Sequence, residues 1–127
     1  MKYCLLVLTM LFFFTAQGHE VTGDTNPDVK VKKGVATYYA RRFEGQRTTS
    51  GKRYKRHKLT AAHRSLPLGT TVTVKNLSNG KSVDVVINDR GPYTKRYIID
   101  LSEQAAKELG FWRKGESKVE ISYVLSD

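Results

Sequence analysis

Two carboxylates are the best prospect for chemistry in this 127-residue chain. Asp89 ends an apolar run, Val83-Asp84-Val85-Val86-Ile87-Asn88-Asp89, and the turn Arg90-Gly91-Pro92-Tyr93 follows it. Asp100 ends a second apolar run, Ile98-Ile99-Asp100, just before Leu101-Ser102. Acids at the ends of two strands can face one another across a cleft. An ionised Asp100 opposite Asp89 would then keep Asp89 protonated as a general acid, while the cations Arg90, Lys95 and Arg96 would pull its pKa the other way. Both acids also have structural readings. Asp89 can bond the Gly91 amide in an Asx-type turn, and Asp100 can accept backbone N–H groups near a helix start.

Several elements must hold these acids. Gly34 to Tyr39 is rich in β-branched and aromatic residues and predicts a first strand. Arg41 to Lys58 carries glycines, hydroxyls and many cations with little periodicity, and predicts a long functional loop. Leu59-Thr60-Ala61-Ala62-His63 is a short extended segment, and Leu66-Pro67-Leu68-Gly69 is a turn. Val72 and Val74 alternate with Thr71, Thr73 and Lys75; after Ser78-Asn79-Gly80 the pattern returns in Val83, Val85 and Ile87, which predicts a β-hairpin. Tyr97 to Leu101 is a further short strand. Ser102 caps a helix over Glu103 to Leu109 that Gly110 ends, and Lys118 to Leu125 is a last alternating strand. About six short strands and one small helix predict an all-β domain, a small closed or nearly closed barrel.

The first residues read differently. Met1-Lys2-Tyr3 is a short basic start, and Cys4 to Ala16 is almost wholly apolar. Small residues at Ala16 and Gly18 predict a signal peptide over 1–18, cleaved after Gly18, with an uncleaved anchor as the alternative. The run is short for a stable membrane span, which takes about 20 apolar residues. Cys4 is the single cysteine, so the exported chain would have no thiol and no disulfide, and Cys4 lies too near the start to accept a lipid. His19 to Lys33 is polar and reads as a flexible lead-in, leaving 34–126 as the domain. A net charge of +10 favours polyanionic partners, and export favours a cell-wall polymer over nucleic acid. His19, His57 and His63 have no close partner ligands, so no metal is expected, nor any other cofactor.

Five segments occur in an order that resembles a known family: Leu59-Thr60-Ala61-Ala62-His63, Leu66-Pro67-Leu68-Gly69-Thr70, Val72 and Val74 with Asn76-Leu77 and Asn79-Gly80, Asn88-Asp89-Arg90-Gly91-Pro92-Tyr93, and Ile98-Ile99-Asp100-Leu101-Ser102. Gly34 to Tyr39 and Thr48-Thr49-Ser50-Gly51 fit as well. Together they resemble the rare lipoprotein A (RlpA-like) family over Gly34 to Leu125. The resemblance implies a six-stranded double-psi β-barrel with one short helix, the fold of expansin and barwin-like domains. It also implies lytic transglycosylase action on peptidoglycan glycan strands, in some members on strands stripped of stem peptides. The protein is then expected in the periplasm or outside the cell, as a monomer and not as a lipoprotein. The chain departs from the pattern at Lys52 and Lys55, where the family loop has Glu and Asp, and the peptidoglycan-binding repeat that often follows in the family is not expected here. The two lysines keep open a second function, that of a non-catalytic, expansin-like wall-binding module.

On this resemblance the site falls to particular residues. A lytic transglycosylase needs one carboxyl acting as acid and then base, plus groups that stabilise developing positive charge. Asp89 matches the family's cleft aspartate and takes the acid/base role, with Asp100 as its partner. His63 matches a cleft histidine that could share a proton with Asp89 or bind a sugar hydroxyl. Tyr38, Tyr39, Tyr93 and Tyr97 could serve as platforms for sugar rings or as ordinary barrel packing. Arg90 borders the acid, and Lys52 and Lys55, with Arg53 and Arg56, are read as a cationic loop beside the cleft that grips wall carboxylates.

Overall fold

The computed structural model describes residues 28–125. The expected signal peptide, the first part of the lead-in and the last two residues lie outside the described residues. Six strands close into a barrel: β1 (Val29–Tyr38), β2 (Thr60–Ala62), β3 (Thr71–Asn76), β4 (Ser82–Asp89), β5 (Ile99–Leu101) and β6 (Ser117–Val124). They run around it in the order β1-β5-β2-β4-β3-β6. A helix, α1 (Glu103–Glu108), lies between β5 and β6. β1 pairs parallel with β5, and β2 parallel with β4, while the other neighbours are antiparallel. These two parallel pairs, each joined through a long crossing connection, make the double-psi barrel.

The hairpin forms as its alternation predicts. Val72 pairs with Val85 and Val74 with Val83, and these side chains meet Ile87, Val119 and Ile121 in a core with almost no solvent exposure. The barrel is narrow, and small residues (Ala36, Ala61) fill it where strands crowd. α1 closes the core with Ala105, Ala106 and Leu109. Ser102 Oγ accepts the Ala105 N–H at 3.2 Å, satisfying one of the helix's free donors. Gly110, at φ +80°, takes the left-handed turn that ends it.

One boundary needs correction. The lead-in was expected to run to Lys33, but β1 begins at Val29, and Val29 to Lys33 pair antiparallel with Glu120 to Val124. Their side chains are all exposed, so ladder hydrogen bonds hold this stretch in place of apolar burial, and hydropathy gives no sign of it. The 41–58 segment is also more ordered than a bare loop. It holds a turn of 3₁₀ helix at Arg41–Phe43 and a small hairpin closed by an Arg47–Arg53 bridge. Tyr54 anchors it: the ring is 2% exposed, stacks on Tyr39 at 4.4 Å, and its hydroxyl accepts the Glu103 N–H at 3.1 Å. Among the described residues, no helix is long and apolar enough to cross a membrane.

Candidate active site

The central strand β2 brings the two acids together. Ala62 is the register partner of Asp89 on one side and of Asp100 on the other. With neighbouring strands about 4.8 Å apart, the two Asp backbones flank Ala62 at roughly twice that spacing. The register slips between Ala61, opposite Ile87, and Ala62, opposite Asp89, so Asn88 is bulged out. That bulge places Asp89, not Asn88, beside Ala62. On β5, Ile99 and Leu101 turn into the core, and alternation sends Asp100 to the other face.

That face forms one wall of a cavity of ≈ 450 Å³. Asp89 and Asp100 lie in it together with Tyr39, Phe43 and Tyr54 on one side and Pro92, Tyr93 and Thr94 on the other. The hairpin residues Gln46, Arg47 and Thr48 form its rim. A larger cavity, ≈ 620 Å³, lies between Val29, Leu68, Thr71 and Tyr123. No carboxylate, histidine or lysine lines it, so acid–base chemistry belongs to the smaller one.

The two carboxyls have opposite surroundings. Burial acts to raise the pKa of Asp89, but hydrogen bonds to its charged form outweigh that and hold it below the ordinary carboxylate value. Tyr39 Oη donates to Oδ2 at 2.5 Å. Oδ1 accepts from Thr49 N and Thr49 Oγ1, both at 2.8 Å, and from Arg90 N at 2.9 Å. Asp100 has no such support. Its Oδ1 is buried without a hydrogen-bond partner. Burial, and then the charge of Asp89, push its pKa up to about 7. The proton therefore resides on Asp100, and Asp89 is the anion. This reverses the expected polarity, in which Asp100 keeps Asp89 protonated. The cause is a set of donors that reach Asp89 alone, first the Tyr39 hydroxyl, then Thr49 of the Thr48-Thr49-Ser50-Gly51 turn and the Arg90 N–H. The same environment raises the pKa of Tyr39, through burial first and then its bond to Asp89, so it stays a donor.

The other expected site residues divide. Tyr39 is in the site, as a hydrogen-bond donor to Asp89 more than as a bare platform. Tyr93 lines the cavity with 88% of its surface exposed, which leaves its ring free for a ligand. Arg90 borders the cavity, but its guanidinium donates to the carbonyls of His63 (3.2 Å) and Leu66 (2.6 Å), tying down the 63–66 turn. Five residues do not belong. His63 is not among the cavity's lining residues. Its Nδ1 accepts the Ser65 and Leu66 N–H groups, both at 3.1 Å, and burial followed by the charges of Arg64, Lys32 and Arg90 lowers its pKa, so it is a neutral turn-former. Tyr38 faces elsewhere: its hydroxyl donates to the Trp112 carbonyl at 2.7 Å and its ring packs near Phe111. Lys52 and Lys55 line a separate cavity of ≈ 500 Å³. Tyr97, another expected platform, lies under the Arg96 guanidinium at 5.5 Å and outside the cleft lining.

Sequence reasoning missed Phe43, Tyr54 and Arg64. Arg64 Nη1 donates to the carbonyls of Pro92 (2.9 Å), Thr94 (3.2 Å) and Tyr97 (2.8 Å), fastening the turn that forms one cleft wall. Only its position next to His63 marks it in the sequence. Among the described residues no group of three or more His, Cys, Asp or Glu side chains converges as metal ligands do.

Known proteins bear on this geometry. A probable endolytic peptidoglycan transglycosylase RlpA of Synechocystis is 48% identical over 95 residues, covering 75% of this chain and 30% of the relative. The endolytic peptidoglycan transglycosylase RlpA of Haemophilus influenzae is 40% identical over 110 residues, covering 85% and 38%. The chain thus spans about a third of the length of these curated relatives. Among solved structures, a Streptomyces papain inhibitor superposes with a TM-score of 0.62 at 23% identity, covering 76% of this chain and 96% of that one. A Clavibacter michiganensis expansin mutant solved with cellohexaose gives a TM-score of 0.62 at 19% identity, covering 77% and 52%. Both likenesses concern the barrel. Residues 31–121, from the lysine-rich half of β1 through both acids to β6, match the lytic transglycolase family model, and the chain belongs to that family.

Proposed function

We propose that the protein is a peptidoglycan lytic transglycosylase in which Asp100 is the general acid and base and Asp89 the charged partner. The observation that carries this reading is the Asp100 Oδ1, buried without a hydrogen-bond partner, beside an Asp89 anion held by four hydrogen bonds. Asp100 gives its proton to the glycosidic oxygen as the C1–O bond breaks. The Asp89 carboxylate faces the positive charge developing on the sugar ring. The muramic 6-hydroxyl then bonds to C1 and passes its proton to Asp100, closing an anhydro ring and restoring the starting protonation. No water is consumed, so one carboxyl that gives and regains a proton suffices. The RlpA relatives, named as endolytic peptidoglycan transglycosylases, support the substrate. The apolar run from Cys4 to Ala16 supports export to the periplasm or beyond, where that substrate lies.

The test is release of soluble anhydro-muropeptides from purified sacculi, read by mass spectrometry. Wild type releases them, and Asp100→Asn and Asp89→Asn each lose at least about a hundredfold of the rate. If wild-type protein sediments with sacculi and releases nothing, the chain is a binding module.

A further inference from the structure

The cavity of ≈ 500 Å³ that holds Lys52 and Lys55 also holds Arg53 and Lys58, around a floor of Thr60, Val86 and Asn88. No carboxylate lines it. The ion pairs among the described residues are Arg41–Glu103, Arg96–Glu116 and Lys107–Glu103, and none involves these four cations. Arg53 Nη1 donates only to the Gly45 carbonyl, at 2.8 Å. Four like charges around one concavity repel one another, and an anion seated between them would relieve that repulsion. The floor suits a sugar. Val86 is 41% exposed, an apolar surface for a ring face, between the hydroxyl of Thr60 and the amide of Asn88.

The position of this cavity links it to the cleft. Thr60 is the register partner of Val86 and lies two residues before Ala62, the residue between the two acids. Residues two apart on a strand share a face, with a rise of about 7 Å. The cationic cavity and the acid cleft are therefore successive stations on the same outer face of β2 and β4. The hairpin closed by Arg47 and Arg53 stands between them: Thr49 binds Asp89, Ser50 N donates to the Asn88 carbonyl at 3.0 Å, and Lys52 and Arg53 line the far side. The offset along β2 from Thr60 to Ala62, about 7 Å, is of the order of one or two sugar rings.

We propose that this cavity is a subsite for carboxylate groups carried by the glycan whose backbone occupies the Asp89–Asp100 cleft. It rests on the reading of that cleft as a glycan site. Two sources present the same chemistry, the lactyl carboxylates of strands freed of peptides and the carboxylates of the peptides themselves. The test is sedimentation of the protein with sacculi, intact and amidase-stripped, each with and without carbodiimide amidation to neutralise carboxylates, and with hydrofluoric-acid-treated sacculi that have lost phosphodiester-linked polymers. On the sacculi it prefers, stripped or intact, wild type binds about tenfold more weakly after amidation, as expected for losing several exposed ion pairs. The Lys52→Ser/Lys55→Ser/Lys58→Ser variant, confirmed folded by its melting curve, shows no such difference. Tighter binding of wild type, but not of the variant, to stripped sacculi assigns the lactyl source, and to intact sacculi the peptide source. The proposal is overturned if the variant keeps the preference, if amidation leaves wild-type binding unchanged, or if hydrofluoric acid alone abolishes it. Anhydro products are read from the same tubes. Their absence alongside a lost preference in the variant refutes the lyase reading and leaves the subsite standing.

Discussion

Replacing Asp100 with Asn should make the protein more stable above neutral pH while abolishing the proposed lyase activity. In the folded state burial and the Asp89 charge hold the Asp100 pKa at about 7, against an ordinary 3.8. Between those values the folded chain keeps a proton that the unfolded chain has released. Stability therefore falls as pH rises through this window, by about 4 kcal/mol in total for a displacement of this size. That is a large share of the 5–15 kcal/mol typical of a domain. Asn cannot ionise and has nearly the shape of the protonated acid. Urea unfolding of wild type and Asp100→Asn from pH 4 to 9 isolates the effect, because contributions from other groups cancel in the difference. His63, whose lowered pKa adds stability as pH rises, is one of these. The two proteins should be nearly equal at pH 4, and the variant should gain by about 4 kcal/mol by pH 8. An advantage that does not grow with pH would refute the assignment of the proton to Asp100. In wild type, kcat/KM should fall through pH 7 as Asp100 loses its proton.

Other perturbations test the supports around the pair. Tyr39→Phe removes the 2.5 Å donor to Asp89, so the acidic limb of the rate profile should move to higher pH, with about 1–2 kcal/mol lost in a denaturant titration. Arg64→Met frees the 92–97 turn from three hydrogen bonds; KM should rise more than kcat falls, and limited proteolysis should cut within that turn first. Ser102→Ala deletes the cap of α1 and should cost about 1 kcal/mol of stability, with the pH profile unchanged.

Much of this protein was legible in its residues. The alternation of Val72, Val74, Val83, Val85 and Ile87 specified the β3–β4 hairpin because burial on one face of a strand has period two. Ser102 and Gly110 marked the start and end of α1, since a hydroxyl cap and a left-handed glycine are local devices. Asp89 and Asp100 stood out as strand-end acids, and they do share a cleft. Tertiary structure decided what each acid does. The sign of a carboxyl's pKa depends on donors distant in sequence, and Tyr39 and Thr49 reach Asp89 across 50 and 40 positions. Lys52 and Lys55 looked like neighbours of the acids, but Lys52 in the hairpin and Lys55 just after it line a cavity of their own. His63 looked like a catalyst until its ring nitrogen was taken up by the turn that follows it. Residue types and spacing thus determined which groups the fold could use, because patterning and turn chemistry are local. Which of them carries a proton, and which faces an anion, was decided by contacts that exist only once the barrel has closed.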